Sequence, residues 1–186
     1  MATVVHDFDW PDRLVVGTVG PPGHRTFYLQ ARDGERLMSV CLEKEQSAVL
    51  ADRLDELLDE LMSMDGNPAS IPATAPDGLE DHAPLDEPVD EQFRVGLMTL
   101  GWDPSTAQVV IEAHPLVEIE GDPAALPAPD PEDSPEVLQV RIPVGAARSF
   151  SKRTREIVLG GRPFCPLCLE PIDPEGHECP QVGEFE

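Results

Sequence analysis

Apolar and polar positions along the chain fall into two successive runs of short alternating segments, each closed by a stretch with helical spacing. In the first run, Leu14, Val15, Val16, Gly17 and Val19 predict a strand, and Pro21-Pro22-Gly23 predicts a turn. Phe27 and Leu29 alternate with Tyr28 and Gln30, which predicts a second strand over Thr26–Ala31. Asp33-Gly34 tolerates the positive φ values of a tight hairpin, and Leu37–Leu42 supplies a third strand. Leu50, Leu54, Leu57, Leu58 and Leu61 then recur at spacings of 4, 3, 1 and 3, on one face of a helix. Asp52, Arg53, Asp55, Glu56, Asp59 and Glu60 fill the other face.

The second run repeats this order. Phe93–Trp102 reads as a strand, Asp103-Pro104-Ser105 as a turn, and Ala107–Glu120 as a long strand. Pro115 within it points to a bulge or an edge position, because proline cannot donate to a ladder. Val137–Val144 is a third strand, and Gly145–Leu159 a helix capped by Gly160-Gly161. The expected fold is therefore α+β: two βββα units, related by an internal duplication, forming a mainly antiparallel sheet with two helices. This domain spans residues 1–161, followed by a small module and tail at 162–186. The N-terminal stretch around Asp7, Asp9, Trp10, Pro11 and Asp12 is expected to be a docked arm.

Composition adds two inserts. Residues 65–91 hold five prolines and eight acids without a Lys or Arg, and residues 121–135 hold five more prolines and no base. Neither can bury enough apolar surface to offset its ordering entropy, so both are expected to be solvated and mobile. Thirty-six acids against 13 bases give a formal charge of -23. Such a field repels nucleic-acid phosphates and anionic membranes unless a local basic patch intervenes. No apolar run approaches the roughly 20 residues of a membrane span, and the first residues lack the pattern of a secretory signal. A cytoplasmic protein is expected.

The clearest chemistry is near the C-terminus. Cys165-x2-Cys168 and His177-x-Cys179 flank Asp173-Pro174-Glu175-Gly176, a turn that brings the second pair back to the first. Three thiolates and an imidazole form a closed tetrahedral zinc set, so one structural Zn2+ per chain is expected. Free surface thiols, or a disulfide between Cys165 and Cys168, are the alternatives. Four protein ligands leave no open position for catalysis. Cys41 stands apart as an inert core thiol.

Six of the 13 bases lie between Arg141 and Arg162. Arg148, Lys152 and Arg155 form one helical stripe, and with Arg162 they are candidate anion or nucleic-acid contacts. The competing reading has the stripe neutralising nearby carboxylates, and the excess of acid favours it. Gly20, Gly23, His24 and Arg25 form a candidate ligand turn, although it lacks the Gly-Lys-Ser/Thr ending of a phosphate loop and leads into a strand. A hairpin turn is the simpler assignment. No catalytic constellation can be assigned from the scattered histidines.

The segment Asp12–Arg32, the helix Leu50–Leu58, and the ending Arg162-Pro163-Phe164-Cys165-Pro166-Leu167-Cys168 to Gly176-His177-Glu178-Cys179-Pro180 together resemble an uncharacterised actinobacterial family of unknown function. That resemblance implies a cytosolic bacterial protein with no carried-over catalytic residue, and a link to chromosome segregation through a partition ATPase as partner. Three functions compete. The leading one is a non-enzymatic protein-binding, adaptor or regulatory protein with a structural zinc site. The others are a nucleic-acid-binding factor using helix 148–155 and the zinc module, and a small enzyme or ligand-binding domain at the Gly17–Arg25 turn.

Overall fold

The computed structural model describes residues 3–117, 134–161, 167–168, 172 and 179. Among these, the elements run β1 (Val4–Asp9), β2 (Arg13–Val19), β3 (Thr26–Asp33), β4 (Arg36–Leu42), α1 (Lys44–Met62), β5 (Glu91–Asp103), β6 (Gln108–Pro115), β7 (Glu136–Pro143) and α2 (Val144–Leu159). The α+β class holds, and no helix among the described residues is long and apolar enough to cross a membrane. The strands form one sheet in the order β1-β7-β6-β5-β4-β3-β2. It is mixed, with β1–β7 and β4–β5 parallel and the remaining pairs antiparallel. Between β4 and β5 the chain passes through α1 and residues 63–90, the long crossover that a parallel pair requires.

Chain connectivity forces this sheet to curl. β1 and β2 are its two outer strands, yet only Trp10, Pro11 and Asp12 join them. Four Cα–Cα steps span at most about 15 Å, whereas seven flat strands place the outer two about 29 Å apart. The edges must approach each other, and side chains tie them where they do. The Arg36 guanidinium donates to the Asp7 carbonyl at 3.1 Å and lies over the Phe8 ring, and the Gly34 N–H donates to the Asp12 carboxylate. Helix α2 touches β2 on one side of this seam and β7 on the other, and it packs lengthwise on α1.

The inner face of the curled sheet follows the period-2 alternation of its strands. Phe27, Leu29 and Ala31 of β3, Met38, Val40 and Leu42 of β4, Val109, Ile111 and Ala113 of β6, and Leu138, Val140 and Ile142 of β7 share one core with Leu50, Leu54 and Leu58 of α1. In β5 the alternation changes parity. Phe93 and Val95 face the core, and then Met98, Leu100 and Trp102 do, because the register shifts between Val95 and Leu97. An extra residue in one strand moves every later side chain to the other face. Gly96 occupies that bulge, where an added Cβ would sit 2.7 Å from the Leu116 Cα.

Three expectations are corrected at the level of local structure. The bulge lies in β5, opposite Pro115, and β6 is an interior strand that ends at Pro115. Leu116 and Val117 are not in a strand, and residues 118–120 fall outside the described residues. The N-terminal arm is strand β1, paired with β7 through its backbone. Gly160 caps α2 as expected, at φ -67° and with its N–H donating to the Glu156 carbonyl. The insert at 121–135 lies outside the described residues except for Ser134 and Pro135, and the module at 162–186 does so except for residues 167–168, 172 and 179.

Candidate functional site

Residues 65–90 contain no helix or strand, as their prolines dictate, and although most of them are exposed they touch the fold at several points. They form a strap that leaves α1, crosses α2 and turns over the outer face of β2 and β3. Ile71 joins the core, at 3% exposed. Leu85 is buried against Gly17, where an added Cβ would meet its Cγ and Cδ2 at 2.5 Å. The side-chain amide of Gln30 works as a short piece of backbone ladder. Its Nε2 donates to the Asp86 carbonyl at 3.0 Å, and its Oε1 accepts from the Asp86 N–H at 2.8 Å. Ile71, Leu85 and the Gln30 amide hold the strap at three points, while most of its residues stay exposed.

Two arginines lock it from opposite sides. Arg13 of β2 donates to both oxygens of Asp81, at 2.6 and 3.0 Å, to the Asp86 carboxylate, and to the carbonyls of Ala83 and Pro84. Arg153 of α2 donates to the Asp81 carboxylate at 2.8 Å, to the carbonyls of Asp81 and Ala83, and to that of Val16 in β2. The Arg13 hydrogen bond, joined by the Ala83 N–H and both positive charges, holds the Asp81 carboxyl below its ordinary range against the cost of its burial. The same partner acts differently on the two guanidiniums. Hydrogen bonding to Asp81 raises Arg13, while Arg153 is lowered because its burial outweighs the attraction of Asp81. Sequence reading missed this clamp. Its one signal was Arg153 three residues after Phe150, a base on the apolar side of the helix.

The basic stripe of α2 is assembled as expected and is fully answered by carboxylates. Arg148, 6% exposed, donates to Asp55 and Asp59 of α1 at 2.7 Å each and to the Pro72 carbonyl. Arg155 pairs with Asp52 and Asp55, and Lys152 with Glu80 of the strap. The Lys152–Glu80 hydrogen bond raises the amine and lowers the carboxyl. These side chains line a groove beside Ala73, Thr74 and Ala75. Its bases are matched by acids, so it presents no free cationic face. Arg162 lies outside the described residues.

At the Gly20–Arg25 turn, Gly20 and Gly23 take φ values of 102° and 90°, and the His24 N–H closes the turn on the Pro21 carbonyl at 3.0 Å. A Cβ at Gly20 would lie 2.7 Å from the His24 carbonyl oxygen, so the glycines serve the β2–β3 hairpin. His24 is exposed, and the Arg25 guanidinium lies 5.5 Å from the centre of the Phe27 ring. Cys41 is buried beneath the outer face, and burial pushes its thiol up, as expected of an inert thiol. Of the four zinc candidates, Cys165 and His177 fall outside the described residues, while Cys168 and Cys179 are half-buried. Among the described residues no three His, Cys, Asp or Glu side chains form a metal cluster.

A second groove, of about 350 Å³, runs between α1 and β5. Val49, Leu50, Leu97, Met98 and Leu100 line it, with Glu45 and Arg53 among its polar residues. Val49 is 56% exposed there, and beside it on α1 Asp52 is paired with Arg155 of α2 and Glu56 with Arg53. The groove exists because the β5 bulge turns Met98 and Leu100 inward and leaves a glycine, Gly96, opposite the first turns of α1.

A family model described as a protein of unknown function, DUF3090, matches residues 6–179, and the chain belongs to that family. No curated protein and no solved structure matches.

Proposed function

We propose that this DUF3090 member is a non-enzymatic, acidic protein-binding module that carries a structural zinc at its C-terminus. One observation carries the reading: all four bases of α2 are consumed by carboxylates of the same chain. Internal pairing cancels charge in equal amounts and leaves the acidic excess on the outside. Such a surface meets cationic protein and repels polyanions. The α1–β5 groove is the contact we assign, since it offers an apolar lining with Val49 exposed and the Glu45 carboxylate at its edge. It suits an extended or helical segment that places apolar side chains in the groove and a basic one against Glu45.

The donor set Cys165, Cys168, His177 and Cys179 has the chemistry of a closed zinc site, and a segment this short has no core of its own. Zinc would supply its folding free energy and no reaction step.

The test is cross-linked capture from native cells with the full chain, its Val49→Glu variant and its Arg155→Glu variant, alongside binding to duplex DNA and RNA. The expected partner is captured by wild type and by Arg155→Glu, lost with Val49→Glu, and weakened by raised salt. A partner set indifferent to Val49→Glu, or salt-sensitive binding of nucleic acid, overturns the reading.

A further inference from the structure

The curl that brings β1 towards β2 does not pair them, and the space left between the two edges is a cavity of about 350 Å³. Its walls come from every element that meets at the seam. Trp10 and Pro11 belong to the three-residue connection, Ile142 and Pro143 to the end of β7, Phe150 to α2, and Leu79 to the strap. Its size lies within the range of small-molecule sites, roughly 300–1,000 Å³, and its lining has their usual character of an apolar wall with a few polar groups.

Two features separate this cavity from a packing gap. Ser149 lines it from α2, is 8% exposed, and its buried Oγ has no hydrogen-bond partner. A helical serine ordinarily satisfies its hydroxyl on the carbonyl four residues back, and an orphaned buried hydroxyl is costly to keep. Ser151, two residues on, does find a carbonyl, that of Ala51, at 2.9 Å. The second feature is Trp10, held at φ 54° with its N–H on the Arg141 carbonyl at 2.9 Å. The residue is 64% exposed while still lining the cavity, which leaves indole surface available at the mouth.

The charged residues of the wall fix the ligand's charge. Arg13 and Arg153 are held by Asp81, with Asp86 also on Arg13, and Asp12 accepts the Gly34 N–H and lies 3.9 Å from Arg32. No wall charge is left to pair with an ionised ligand.

We propose that the seam binds a neutral, flat, largely apolar molecule the size of one or two rings, with a single hydrogen-bonding group directed at Ser149. Trp10 stacks on the ring, Phe150 and Ile142 form the floor, and Ser149 reads the polar group. This assignment is independent of the protein-binding groove, which lies between α1 and β5.

The experiment is ligand-detected NMR on the full chain with p-cresol and toluene as neutral probes, and benzoate and benzylamine as charged ones. Saturable p-cresol binding is expected, weakened about tenfold by Trp10→Ala and about fivefold by Ser149→Ala. Toluene, which has no polar group, should respond to Trp10→Ala and not to Ser149→Ala, and the charged probes should bind least. Trp10 is largely exposed, so its variant keeps the fold, and unchanged amide spectra confirm this for each protein. Failure of both neutral probes to saturate, p-cresol binding unchanged from wild type in either variant, or preference for either charged probe overturns the proposal.

Discussion

Replacing Asp81 by Asn keeps the shape of the residue and removes the charge shared by two guanidiniums. Arg13 and Arg153 have side chains only 10% and 8% exposed, and each holds Asp81 within 3.0 Å. An amide offers one acceptor oxygen in place of two, so at least one guanidinium hydrogen bond is lost along with the countercharge. Removing one partner of a fully buried pair costs about 3–5 kcal/mol. Here Asp81 itself is 31% exposed and Arg13 keeps Asp86, so about 2–3 kcal/mol is the expected loss. For a chain of this size that lowers Tm by about 5–10 °C. The urea midpoint should fall with little change in slope. Amide exchange should accelerate across residues 80–87 and remain slow in β6 and β7. The effect also has a pH signature. Asp81 titrates below its ordinary range in the folded protein, so its contribution is complete above about pH 4, the unfolded value. It is lost as pH falls through the lower folded value. Wild type and variant should therefore differ fully at neutral pH and converge in acid. A difference below about 0.5 kcal/mol, with unchanged exchange over the strap, would refute the clamp, because it would mean that water solvates both guanidiniums.

Two further outcomes check other parts of the structure. Gly17→Ala should destabilise by about 1–3 kcal/mol through overpacking against Leu85, and Gly17→Ala with Leu85→Ala should show a coupling above about 0.5 kcal/mol in a double-mutant cycle; strict additivity would place Leu85 elsewhere. Elemental analysis should find one zinc per chain, lost on replacing Cys165, Cys168, His177 or Cys179 and kept in Cys41→Ser, and metal-free protein purified without chelator would remove zinc from the proposal.

Six of the seven strands and both helices were legible, because a half-buried element writes its period into the sequence. Leu50, Leu54 and Leu58 of α1, or Leu138, Val140 and Ile142 of β7, are buried on one side and polar on the other, and no alternative register keeps them inside. β1 was not legible for the converse reason. Val4 and Val5 are 55% and 53% exposed, Phe8 alone enters the core, and the strand exists through backbone bonds to a partner 132 positions away. The parity change in β5 was hidden as well, since Val95-Gly96-Leu97-Met98 satisfies either alternation until the neighbouring strand sets the register.

The strap shows what composition leaves out about residues 65–91. Proline and acid exclude helix and strand there, which is what the structure contains, but the absence of regular structure does not imply the absence of fixed position. Ordering needs few contacts when the chain is already stiff, and proline reduces the entropy lost on fixing it. The acids of the strap also have work that a net charge cannot reveal. Asp81, Asp86 and Glu80 are the counterions of Arg13, Arg153 and Lys152, so the segment that looks most repulsive is drawn to the places where the chain keeps its few bases. With 13 bases against 36 acids, each base committed inward leaves the outer surface no less acidic than before. Salt should thus screen repulsion among the exposed carboxylates while leaving the near-buried Asp81 clamp largely untouched, since exposed charges are screened far more strongly than buried pairs.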